Sequence, residues 1–161
     1  MKTVVILLIL FSSSQMLFSQ EQESLSVETN MIVDFNEEES WLIVQDWENL
    51  HLLAPNVVES TTVNGTGLYS TWDISLKSGG MISEKMLYYN PNEKTFSYIM
   101  TVTPMPISDY MAIIKVEEYG ISKSLISFYT ECKTDPSKVD QMRKTFKSFQ
   151  ENYLSNIEKL K

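Results

Sequence analysis

Apolar and polar positions alternate from residue 25 onward. Leu25, Val27, Thr29, Met31 and Val33 share one parity, Ser26, Glu28 and Asn30 the other, and Ile32 is the exception. A period of two predicts a strand over residues 25–34 with one face inward. Asn36 then precedes three glutamates, Glu37 to Glu39. An Asn cap, a Glu three residues on and carboxylates against the positive end of a helix dipole mark a helix start. The helix is expected to run to about Trp47, burying Trp41 and Val44 with Ile43 and Trp47 beside them. A helical turn over residues 49–53 should end at Ala54-Pro55, because proline drives its predecessor out of the α region.

Beyond Pro55 the texture becomes strands of about ten residues between turn signals. The signals are Asn64-Gly65, Ser78-Gly79-Gly80, Asn90-Pro91-Asn92-Glu93, Thr103-Pro104-Met105-Pro106 and Tyr119-Gly120. They delimit six strands in meander order, over residues 57–63, 68–77, 81–89, 95–102, 109–119 and 122–133. β-Branched and aromatic residues dominate several of them. Asn64-Gly65-Thr66 also fits a glycosylation acceptor, but Asn-Gly is a preferred hairpin turn and accounts for itself without sugar.

The last segment opens with Asp135-Pro136, a capping side chain followed by proline where the first helical amide needs no partner. Val139, Met142, Phe146, Phe149, Tyr153, Ile157 and Leu160 then recur at helical spacing. About 25 residues give a helix of ~37 Å, long enough to lie along the whole sheet. One strand, two short helices, a six-strand meander and a long amphipathic helix define an α+β domain, in which a strongly bent seven-stranded antiparallel sheet wraps a helix. A bent sheet cannot meet a straight helix everywhere, and the gap is the natural place for an internal apolar cavity.

The N-terminus follows another logic. Lys2 precedes the apolar run VVILLILF at residues 4–11, and small Ser19 stands at a plausible cleavage edge two residues after Leu17. This pattern predicts a secretory signal peptide over residues 1–19, too short to span a bilayer, followed by one domain over residues 25–161. No cysteine follows the apolar run, so lipid modification is not expected. Removing 19 of the 161 residues leaves 142 and, with Lys2 gone, a more acidic chain. The expected location is periplasmic or secreted, with no stable membrane span after cleavage.

Composition narrows the classes. The chain carries 13 basic and 21 acidic residues, a net charge of -8. Nucleic-acid binding rests on Lys and Arg displacing counterions, so a nucleic-acid partner is not expected. The single cysteine, Cys132, makes no internal disulfide and no Cys-rich zinc site. His51 is the only histidine, which leaves neither a multi-His metal site nor a catalytic dyad nearby. There is no Gly-x-Ser-x-Gly elbow, and Gly65-Thr66-Gly67 lacks the Lys of a phosphate loop. No cofactor or metal is expected, and no EF-hand spacing organises the acidic clusters.

Four local features resemble one superfamily. They are Asn36 leading after four residues to Trp41; Leu53-Ala54-Pro55-Asn56-Val57 leading to Gly65-Thr66-Gly67; Gly79-Gly80-Met81-Ile82-Ser83-Glu84-Lys85-Met86 in mid-sheet; and Phe96-Ser97-Tyr98 followed by Pro104 and Pro106. In order and spacing they resemble the SRPBCC superfamily, helix-grip proteins that include polyketide cyclase/dehydrase-like, START-related lipid-transfer and birch-allergen-like domains. The likeness runs from about residue 25 to 161. Phe128 departs from it, since many relatives carry tryptophan there. The resemblance implies the helix-grip fold and a ligand cavity, but does not choose between carriage and catalysis.

Strand parity names the inward residues. They are Trp72 and Ile74; Ile82, Glu84 and Met86; Phe96, Tyr98 and Met100; Tyr110, Ala112 and Ile114; and Phe128, beside Ile126. Phe146, Phe149 and Tyr153 face them from the last helix. Either these residues fill a solid core, or the set, rich in aromatics and methionine, lines an irregular pocket for an apolar molecule. Glu84 is the sharpest candidate. Facing inward, its carboxyl would be desolvated and its pKa raised, making it a general acid, a base or a hydrogen-bond anchor; facing outward it would pair with Lys77 or Lys85. The expectation is an exported binding protein for a small hydrophobic or amphipathic molecule, lipid-like or polyketide-like. A cyclase/dehydrase-type enzyme using the same cavity is one alternative. An accessory interaction protein with a vestigial pocket is the other.

Overall fold

The computed structural model describes residues 21–161, and the expected signal peptide lies outside them. β1 (Glu23–Val33) alternates buried and exposed side chains as its pattern requires. α1 (Glu37–Val44) starts with a complete capping box: Asn36 Oδ1 accepts from the Glu39 amide and Glu39 returns the contact to the Asn36 amide. It is shorter than the expected helix, ending at Gln45. Trp47–Asn49 forms a separate 3-10 turn capped by Asp46, and α2 (Leu50–Leu53) completes the connection. Trp47 is buried at the start of this separate turn.

The meander follows: β2 (Val58–Asn64), β3 (Thr71–Leu76), β4 (Met81–Asn90), β5 (Thr95–Val102), β6 (Ile107–Glu118) and β7 (Ser124–Thr134). All pairings are antiparallel and the sheet order is β1-β7-β6-β5-β4-β3-β2. The chain therefore crosses from one edge to the other through α1 and α2. β3 is shorter than its apolar pattern predicts. Asn64 pairs with Thr71 across residues 65–70, in which Gly65, Gly67 and Tyr69 all take positive φ. That geometry makes a six-residue loop rather than a two-residue Asn-Gly hairpin.

α3 (Val139–Ile157) is preceded by a 3-10 turn at Pro136–Lys138, so the regular helix is 19 residues, shorter than expected. It lies on β1 and β7 and against α2. A buried amide fixes it there. Thr29 donates to Gln150 Oε1 at 2.7 Å, and Gln150 Nε2 donates to Thr130 Oγ1 at 3.1 Å and to the Val27 carbonyl at 3.3 Å. At the other end Asn156 Nδ2 donates to the Leu53 carbonyl at 3.0 Å. The helix is thus anchored over one side of the curved sheet and stands off β3, β4 and β5.

Candidate functional site

A cavity of about 530 Å³ fills the space between α3, the α2–β2 connection and β3 to β6. This lies within the ~300–1,000 Å³ range of small-molecule sites. Nine of the residues expected from strand and helix parity form its wall: Ile74, Ile82, Glu84, Tyr98, Met100, Tyr110, Phe146, Phe149 and Tyr153. Six do not: Trp72, Met86, Phe96, Ala112, Ile114 and Phe128 are buried in solid core. Other rings cover three of them. Trp47 stacks on Trp72 with ring centroids 4.2 Å apart and planes 13° from parallel. Phe96 is flanked by Trp41 and Trp47, and Phe128 by Phe149 and Tyr153. α1 packs over β6 and β7, the region of Ala112 and Ile114.

Parity alone left out the other side of the cavity. Trp47 from the 3-10 turn, Leu50 from α2 and Ala54 to Val58 from the α2–β2 connection line it, with Leu76 at the end of β3, Met105 from the β5–β6 loop, and Lys144, Thr145, Ser148, Asn152 and Asn156 from α3. The exposed members, Pro55 to Val57 facing Lys144, Thr145, Ser148 and Asn152, mark the mouth. Asn152 stands three positions after the wall residue Phe149, and Asn156 three after Tyr153, a helical spacing that signals a shared face.

Glu84 is the chemical centre. Its relative exposure is only 4 %, so the outward pairing with Lys77 or Lys85 is excluded. Register shifts between Ser83 and Glu84 and between Met86 and Tyr88 bracket it in the β4–β5 ladder, yet it keeps the inward parity of Ile82 and Met86. Trp72, its cross-strand partner, donates its indole N–H to Glu84 Oε2 at 2.6 Å. Among the described residues no hydrogen bond reaches Oε1, and the side chain forms part of the cavity wall.

Desolvation pushes the Glu84 carboxyl from 4.5 up to about 8, against the smaller downward pull of the Trp72 hydrogen bond. Near neutral pH it is mostly protonated. A protonated carboxyl carries one O–H donor, and Glu84 presents it in the cavity wall. Tyr98, Tyr110 and Tyr153 surround it and are pushed up first by burial, with the Glu84 charge adding to the effect, so all three stay neutral hydroxyls. Trp47 Nε1 is buried without a partner on a ring that forms the wall. Cys132 lies outside the cavity and burial raises its thiol to about 11, the opposite of an activated nucleophile. The arrangement can hold a neutral oxygen acceptor within an apolar enclosure, or hand it a proton.

Fold and site together define a helix-grip domain of the SRPBCC-like kind with an open ligand cavity. The family model for polyketide cyclase / dehydrase and lipid transport matches residues 24–160, and the chain belongs to that family. No curated protein matches the sequence. Among solved structures, a protein from Bacillus thuringiensis superposes with a TM-score of 0.74 at 16 % identity, covering 84 % of this chain and 98 % of its own. XoxI from Bacillus cereus gives 0.73 at 17 %, covering 84 % and 94 %. Norcoclaurine synthase from Thalictrum flavum, solved with dopamine and hydroxybenzaldehyde, gives 0.72 at 17 %, covering 99 % and 96 %. At these identities the likeness is one of fold.

Proposed function

We propose that the protein is an exported binding protein for a small hydrophobic or amphipathic molecule held between the sheet and α3. One observation carries the reading: a cavity of about 530 Å³, walled by apolar and aromatic side chains, whose one buried ionisable carboxyl is neutral near pH 7. Each 100 Å² of apolar ligand surface removed from water there contributes ~2.5 kcal/mol. Glu84, Tyr98 and Tyr110 then orient any neutral polar group on the inward-reaching part of the molecule. Family membership supports a ligand-binding fold, and the leader-like residues 1–19 support export.

Native mass spectrometry of the protein purified from its own host tests both parts. The expected spectrum shows a polypeptide shortened by the leader and carrying a retained small molecule. An unshortened chain would overturn export. A bare polypeptide that also fails to bind a panel of apolar probes would overturn the binding reading.

A second reading rests on Glu84 itself. A carboxyl protonated near neutrality and free on one oxygen can donate and recover a proton, so a cyclase/dehydrase-type enzyme would use the same cavity. Turnover of a polyketide-like substrate that Glu84→Gln abolishes without loss of binding would favour it. The vestigial-pocket reading requires a filled core, and the open cavity weighs against it.

A further inference from the structure

The cavity's charge pattern has a direction. Glu84 is the one carboxylate-bearing residue in the wall, although the chain carries 21 acidic residues. The other ionisable group apart from the tyrosines is Lys144, which stands exposed at the mouth on α3. No ion pair or hydrogen bond engages the Lys144 side chain among the described residues. Two further lysines border the wall. Lys77 Nζ donates to the carbonyl of Pro55 at 2.6 Å, and Lys159 Nζ donates to Asn156 Oδ1 at 2.7 Å. Pro55 and Asn156 both belong to the wall. Among the described residues, three lysines thus stand in or beside the lining of this cavity, and Glu84 is the one carboxyl within it.

Resting on the binding reading above, we propose that the cavity selects singly anionic amphiphiles in one orientation, with the anionic head at the mouth beside Lys144 and the uncharged body reaching inward to Glu84. Near neutral pH the inner end holds no compensating charge, so a second charge carried inward would be desolvated without a partner. A cationic head gains nothing from the mouth. It would need to enter and ionise Glu84, reversing the orientation.

Isothermal titration of the protein with four probes of matched chain length tests this at mildly acidic pH, where Glu84 keeps its proton. The probes are decanoate, decanol, decylamine and the dicarboxylate sebacate. Decanoate should bind tightest, and sebacate at least ten-fold more weakly. Lys144→Gln should lower the preference for decanoate over decanol about three-fold, the scale of an exposed ion pair, and Lys144→Glu should lower it further.

Because Lys144 is exposed, both variants should fold, and circular dichroism will confirm it. Equal binding of decanoate and decanol, tightest binding of decylamine, sebacate as tight as decanoate, or a preference untouched by Lys144→Glu would each overturn the orientation while leaving the binding reading in place. Failure of all four probes to bind would overturn the orientation proposal, and the binding reading with it only if the native mass spectrum also shows a bare polypeptide.

Discussion

Replacing Glu84 with glutamine removes a titration that the cavity imposes on folding. The carboxyl ionises near 4.5 when solvated and near 8 in the folded protein, with desolvation the larger cause and the Trp72 hydrogen bond opposing it. A carboxyl whose folded value is raised favours the fold fully below the unfolded value, and that contribution is lost as pH rises through the folded value. Between the two, the unfolded chain releases a proton that the folded chain keeps, and stability falls by about 1.4 kcal/mol per pH unit. The whole interval therefore amounts to ~5 kcal/mol, comparable to the entire stability of a marginal domain. Glutamine retains an acceptor for the Trp72 indole and cannot ionise. Near pH 5 its extra unpaired N–H should leave the variant about 1 kcal/mol less stable than wild type, but near pH 9 the order should invert by several kcal/mol. The neighbouring hydroxyls of Tyr98, Tyr110 and Tyr153 are raised above their usual range and stay neutral throughout. Urea unfolding of both proteins at about pH 5, 7 and 9, extrapolated linearly, measures the difference directly. A difference that stays constant with pH, whatever its sign, would refute a buried, desolvated Glu84.

Gln150→Leu should cost ~2–4 kcal/mol in urea unfolding, because it removes the Gln150 contacts of Thr29, Thr130 and the Val27 carbonyl under α3, leaving Thr29 the Lys147 contact. Asn36→Ala removes the capping box of α1 and should cost ~1 kcal/mol, with decanol binding unchanged since α1 is outside the cavity wall. Phe149→Trp enlarges a half-buried wall residue; decanol affinity should fall about ten-fold while stability stays within ~1.5 kcal/mol of wild type.

The side each strand turns inward was legible because antiparallel strands with one solvated face alternate strictly. Ile74, Ile82, Glu84, Tyr98 and Tyr110 could all be placed on the inner face from their neighbours alone. Parity does not report what stands above that face. Trp72 and Tyr98 are both inward, yet the Trp47 ring from the 3-10 turn after α1 stacks flat on Trp72 and meets Tyr98 only edge-on, and Tyr98 remains in the cavity wall. Trp47 carried a local signal, Asp46 as a cap for a new turn, which a continuous helical reading to residue 47 concealed.

The Trp72 to Glu84 contact was closer to hand than it looked. Ser78-Gly79-Gly80 marks a tight turn, and with Ser75 opposite Met81 the antiparallel ladder brings Ile74 to Ile82 and Trp72 to Glu84. Register arithmetic on that hairpin would have supplied the indole donor. That the second oxygen meets no donor, by contrast, depends on which side chains the rest of the fold brings to that end of the cavity. The position of α3 is itself a long-range matter, fixed by Gln150 meeting Thr29 and Thr130, which no local pattern encodes. The cavity therefore arises from an anchoring choice: α3 is fixed over β1 and β7 by buried polar contacts, and the far half of a curved sheet is left without a lid.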